Sequence, residues 1–256
     1  MDSALLQALP IDATSFLLLF VRIGAVLMLL PAFSDESVPP QIRLLMALGF
    51  TAGLYGLLEP RVAGLAGDGA NLPMLVISEM LVGLALGTIV KLLFSAIAIA
   101  GALATQQVGL ASALVFDPSL GGQTPLLARL LGMAALLVCM GLGVHHLWIA
   151  SIIHSYDVFP VGGLPPAGDF ADLAVHVTGQ AMGLGLSLAA PLILYGALFN
   201  IGLGLAARVA PSIQVFFITQ PLNLLLGLAV LGACVGTILT TFAAAMADFM
   251  NSGWGS

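Results

Sequence analysis

The sequence predicts an all-α, polytopic membrane protein built from long, kinked helices packed as hairpins. Three observations lead there. Of 256 residues, 60% are hydrophobic and only 7% are charged, against about 25% charged in a soluble domain. Six Lys and Arg with twelve Asp and Glu could not cover a soluble fold of this size. Second, the charge-free runs 92–116, 130–156, 173–207 and 209–247 each exceed the about 20 apolar residues that cross a bilayer. Third, none of these runs alternates with period two, as the roughly ten-residue strands of a membrane barrel would. Backbone amides without water must then pair within helices.

Six hydrophobic segments follow in order. The first covers residues 14–30 and stops at Pro31 and the polar turn SDESVPP. The second, 41–58, ends at Glu59-Pro60 and a Gly-rich loop around Asp68. The third, 72–104, is followed by the linker QQVGLASALVFDPSLGGQTP at 106–125. The fourth, 126–155, leads into VFPVGGLPPAGD, and the fifth and sixth cover 176–207 and 213–246. The third, fifth and sixth are too long for one perpendicular crossing. They are expected to tilt, break or leave the bilayer, so six segments overstate the number of crossings. Pro191 and Pro221 fall inside apolar runs, where a missing amide favours a kink. Paired broken helices can also mark a transporter site, but ordinary kinks are the reading taken.

Charge excludes several classes. The net charge of −6 comes from acids scattered singly, which reads as solvated loop charge. No basic patch exists, so no nucleic acid is expected. Arg22 and Lys91 lie inside apolar segments, while Arg43, Arg61, Arg129 and Arg208 are spread over segment ends. The positive-inside rule therefore assigns no orientation. Cys139 and Cys234 occupy separate apolar runs with no metal or CxxC spacing, as buried hydrophobes do. The start, MDSALLQALPIDAT, lacks the positive region of a cleavable signal peptide.

Glu79, Gly83, Gly87 and Lys91 recur at four-residue steps, a slowly drifting stripe on one helix face. Asn200, Gly204 and Arg208 repeat the device, and Gly179, Gly183 and Ser187 form a further small track. These are read as close helix packing, with a charged pathway as the alternative. Thirty glycines imply helices that approach closely, and hence partners. Glu79 is the most central acid. Arg22 has no acid within a helical turn or two, so its partner must lie elsewhere in the fold or in another subunit. His145, His146 and His154 lack ligand spacing, so no metal is expected. No nucleophile arrangement or phosphate loop occurs, so no catalytic residue is assigned. The linker 106–125 carries one charge, Asp117, and many small residues. Composition alone does not choose between an ordinary loop and backbone enclosed by protein or lining a cavity.

Several motifs converge on one family. Arg22, Gly24, Pro31, Pro39 and Arg43 fall in VRIGAVLMLLPAFSDESVPPQIRLLMAL, and Glu79, Gly83 and Gly87 follow. Next come Gln107, Gly109, Leu110, Asp117, Pro118, Thr124 and Pro125, then Asn200, Gly204, Arg208, Pro211, Phe216 and Pro221. Over roughly residues 15–235 this order and spacing resemble the FliR family of flagellar export-gate proteins, the FliR/SctT type of type III secretion. One departure is Gln107-Val108, where the family more often has Gln-Met.

The resemblance implies a channel-forming subunit that passes unfolded flagellar proteins across the inner membrane at the flagellar basal body. It implies FliP- and FliQ-like partners in several copies, together with FlhB- and FlhA-like export proteins, and no cofactor. It implies a FliP-like part at 1–165 and a FliQ-like helical hairpin at 166–256. The segment 106–125 would be the channel plug, through Gln106, Gln107, Gly109, Leu110, Phe116, Asp117, Pro118, Gly121 and Gly122. An injectisome homologue with the same role is the first alternative. A secondary transporter is weakened because only Arg208 is charged between residues 173 and 247. A membrane enzyme lacks any nucleophile, metal or acid pair.

Overall fold

The computed structural model describes residues 3–34, 38–66, 71–110, 126–163, 167–209 and 215–252. Within them the chain is helical. The helices are α1 (Ser3–Leu29), α2 (Pro40–Ala66), α3 (Leu72–Gln107), α4 (Leu126–Gly141), α5 (Val144–Val158), α6 (Ala167–Val209) and α7 (Val215–Ser252).

Local chemistry sets several of their ends. Pro40 opens α2, where a missing amide costs nothing. Asn71 precedes α3, and its carbonyl accepts the Leu75 amide at 3.0 Å. Asp169 in the first turn of α6 and Arg208 in its last complement the helix dipole.

Among the described residues four helices are long and apolar enough to cross a membrane: α2, α3, α6 and α7. The fourth expected segment is not one helix. α4 and α5 are bent by 77° at Leu142-Gly143, where Gly143 takes φ +78° and closes the end of α4 as a left-handed glycine does. Counted as one broken span, the pair brings the helices of spanning length and composition among the described residues to five. The apolar part of α1, Ala13–Leu29, is shorter than a span.

Other boundaries also moved. α1 starts at Ser3, before the expected residue 14. α2 runs through Pro60 to Ala66 instead of stopping at Glu59. Leu58 and Val62 flank the proline and are fully buried, so packing holds the helix across the lost hydrogen bond. Gln106 and Gln107, expected in the linker, form the end of α3. Ala104 and Val108 are fully buried there, which carries the helix past the apolar run. Pro191 and Pro221 both lie inside continuous helices.

The chain divides into two compact units, each discontinuous in sequence. One draws on the described parts of Met1–Leu93 and His145–Thr178. Its α1 packs along α2, with Leu18, Leu19, Ile23, Ala47 and Leu58 buried. The other draws on Phe94–Val144 and Gly179–Ser252. There α4 packs against α7, and Phe94 meets Phe242 edge-on with centroids 5.3 Å apart.

Candidate functional site

Two arrangements bring sequence-predicted residues together, one in each unit. The first centres on Arg22. Its Nε donates to Glu79 Oε2 at 2.7 Å and its Nη2 to Glu79 Oε1 at 2.8 Å. This is the two-pronged geometry in which guanidinium and carboxylate bind most strongly. Both side chains are fully buried. The partner that α1 could not supply comes from α3.

The rest of the guanidinium is used as well. Nη1 donates to the carbonyls of Ser155 at 3.2 Å and Phe159 at 2.9 Å. Ser155 lies in the last turn of α5, where its carbonyl also accepts the Phe159 amide at 2.8 Å, and Phe159 follows directly after the helix, where carbonyls lack a partner within it. Arg22 therefore closes the C-terminus of α5, where a cation also meets the negative end of the helix dipole. Its Cζ lies 4.1 Å from the centre of the Tyr156 ring, a cation–π stack. The Gly162 amide reaches Glu79 Oε1 at 3.3 Å. Gly162 has φ +81°, and a Cβ there would stand 2.7 Å from Leu75 Cδ2, so glycine suits both backbone and space. One ion pair thus ties α1, α3 and the end of α5 together.

The glycine stripe on α3 extends this seam. A Cβ on Gly83 would stand 2.6 Å from the Arg22 carbonyl oxygen, and one on Gly87 2.7 Å from Leu29 Cβ. Small residues let the two backbones approach. Lys91 does not continue the stripe and is exposed. Twelve residues of α-helix rotate by about 120° beyond whole turns, which carries Lys91 out of the α1 interface.

The second arrangement lies at the end of α3 against α6 and α7. Gly196 leaves room for the Gln107 side chain, since a Cβ there would collide with Gln107 Oε1. A Cβ on Gly227 would stand 2.9 Å from Val108 Cα. Gly109 turns left-handed at φ +84°, with its Cβ position 2.7 Å from Asn223 Nδ2. The Tyr195 hydroxyl lies 2.9 Å from the Asn223 carbonyl oxygen and 2.8 Å from its Oδ1. The start of the linker is therefore clasped by residues of α6 and α7. Leu110 follows at the edge of the described chain, and Phe116, Asp117, Pro118, Gly121 and Gly122 lie outside the described residues.

The remaining expected residues face outward. Asn200, Gly204 and Arg208 are exposed on α6, and Gly179, Gly183 and Gly204 have no atom within 4 Å of a Cβ position. Among the described residues no side chain or backbone fills these positions. Pro191 borders a cavity of about 230 Å³ lined by Ser187, Cys234, Thr237 and Thr241 among others. Among the described residues no group of three or more His, Cys, Asp and Glu is placed to hold a metal ion.

Sequence reasoning missed Tyr156, Ser155, Phe159 and Gly162 around Arg22, and Tyr195 and Asn223 around Gly109. The Gly162-Gly163 pair was a visible signal for a special backbone. The others are ordinary residues whose roles arise only from tertiary position.

The family profile described as "Bacterial export proteins, family 1" matches residues 13–249. The flagellar biosynthetic protein FliR of Caulobacter vibrioides is 36% identical over 86% of this chain and 88% of its own length. FliR of Bacillus subtilis is 30% identical over 88% and 87%. The Yop proteins translocation protein T of Yersinia pestis is 28% identical over 82% and 81%.

Proposed function

Because the chain belongs to family 1 of the bacterial export proteins, we propose that it is the channel-forming export-gate subunit of a flagellar type III secretion apparatus. In this role it passes unfolded flagellar proteins across the inner membrane, beside FliP- and FliQ-like subunits and with FlhA- and FlhB-like proteins. The observation that carries the reading is the unfilled outer face of α6. Leu194, Leu198 and Leu205 are each more than 60% exposed, and Gly179 and Gly183 on the same helix face have no atom within 4 Å of a Cβ position. On a membrane-spanning helix exposed leucines alone suit lipid, but small residues beside them let another helix approach closely.

The division into a FliP-like part at 1–165 and a FliQ-like hairpin at 166–256 belongs to the same reading. So does the plug at 106–125. The clasp of Gln107, Val108 and Gly109 on α6 and α7 supports it, since a plug needs a fixed root. The flagellar system is favoured over the injectisome because flagellar relatives reach 36% identity and the Yop translocation protein 28%.

Recovery of the tagged chain from solubilised membranes tests the reading. It predicts a large complex with FliP- and FliQ-like polypeptides, and loss of flagellar export on deletion of the chain. A stable monomer that transports a small solute would contradict it.

A further inference from the structure

Lys91 stands well inside α3, which has 36 residues. At helical rise it lies roughly 28 Å from the first residue and 24 Å from the last. Its side chain is exposed. No carboxylate among the described residues lies within ion-pair distance of it. In the same unit Glu79 is taken by Arg22 and Asp157 by Arg61. The residues two to four turns before it on the same face, Leu84, Met80 and Ile77, are 37%, 43% and 47% exposed. Thr88, between them and the lysine, gives its hydroxyl hydrogen to its own helix at Leu84 O, 2.7 Å away. The ammonium therefore ends an apolar stripe at helical spacing with nothing from its own unit to neutralise it.

A lysine at the centre of a bilayer is costly unless it is paired or reaches water. A flexible stem lets the ammonium reach a headgroup only about one turn away. Lys91 has charge-free sequence on both sides, 80–90 and 92–116, so the residues within its reach along α3 are apolar. An anion brought by another helix meets the charge and covers the stripe at once.

We propose that Lys91, with Ile77, Met80 and Leu84, is a docking face for a membrane helix of another subunit that carries an Asp or Glu at the level of Lys91. The inference rests on the reading of this chain as one subunit of an export complex. Lys91 supplies the cation, the partner supplies the carboxylate, and the flanking apolar side chains exclude water from the pair.

An apolar carbodiimide applied to membranes holding the assembled complex tests this directly. It joins an amine to an adjacent carboxylate as an amide, and the water lost is taken up as the urea. The expected product links this chain through Lys91 to an Asp or Glu of a second polypeptide. It is absent in Lys91→Arg, whose guanidinium keeps the charge but does not form the amide. Lys91→Glu should lower recovery of the complex by about tenfold or more, and a basic residue at the mapped acid should restore it. Lys91→Arg should recover more complex than Lys91→Met. A Lys91 joined only to lipid phosphate, or a Lys91→Met complex recovered as wild type with no crosslink at Lys91, overturns the proposal. If deletion of the whole chain leaves export intact, the subunit reading itself fails. If that deletion abolishes export while Lys91→Met is silent, only the docking face fails.

Discussion

Arg22 and Glu79 are joined by two hydrogen bonds of 2.7 and 2.8 Å with neither side chain exposed. The pair lies 57 residues apart in sequence and fixes α1 to α3, while the free edge of the guanidinium holds the end of α5. A buried pair of this kind does little for net stability against an apolar replacement, but losing one member leaves an uncompensated charge.

Glu79→Gln should therefore be severe. It leaves Arg22 buried and unpaired, at a cost of about 3–5 kcal/mol. Arg22→Met should behave similarly, while the double variant Arg22→Met/Glu79→Met should lose less than either alone. Thermal denaturation of the detergent-solubilised complex reads this as Tm, and additive losses would contradict it.

The two classes of glycine should separate in the same assay. Gly83→Val places carbon where the Arg22 carbonyl oxygen stands 2.6 Å from a Cβ, and overpacking of this kind costs roughly 1–3 kcal/mol. Gly183→Ala meets nothing within 4 Å. It should leave the stability of the complex that is recovered within about 0.5 kcal/mol of wild type and lower only the amount recovered.

Much of this was legible in the sequence, and the losses have physical reasons. Composition and the charge-free runs were enough for an all-helical membrane protein. Arg22, with no acid nearby in sequence, announced a distant partner, but a sequence does not say which acid. Lys91 was grouped with Glu79 because four-residue steps look continuous, although the drift per step accumulates to a different face. The break between α4 and α5 is written as Gly141-Leu142-Gly143, but a glycine pair inside a long apolar run has the same local pattern as a packing track. Pro60 looked like a terminator because local propensity was weighed without the burial of Leu58 and Val62. The clasp around Gly109 needs Asn223, more than a hundred residues away, and no local pattern points to it.

Gly109 offers a test of that clasp. Gly109→Ala should be destabilising twice over. The left-handed backbone costs a residue with a Cβ roughly 1–2 kcal/mol, and the new carbon meets Asn223 Nδ2 at 2.7 Å. Adding Asn223→Ala should recover only the second part. Full recovery in the double variant, measured by Tm, would show that the backbone conformation is unimportant.

Tyr195→Phe removes a single hydroxyl that bridges to Asn223 at 2.8 Å. The expected loss is about 1 kcal/mol, much smaller than for Glu79→Gln. A loss equal to that of Glu79→Gln, in the same thermal assay, would show that the ranking of the two arrangements is wrong.

The most direct measurement of the channel role is membrane permeability to small solutes after deletion of residues 109–121. The complex carrying this deletion must first be recovered intact, so that assembly and sealing are read separately. The account predicts a membrane that leaks ions and small solutes only when the deleted chain is present. An intact complex with unchanged permeability would contradict it.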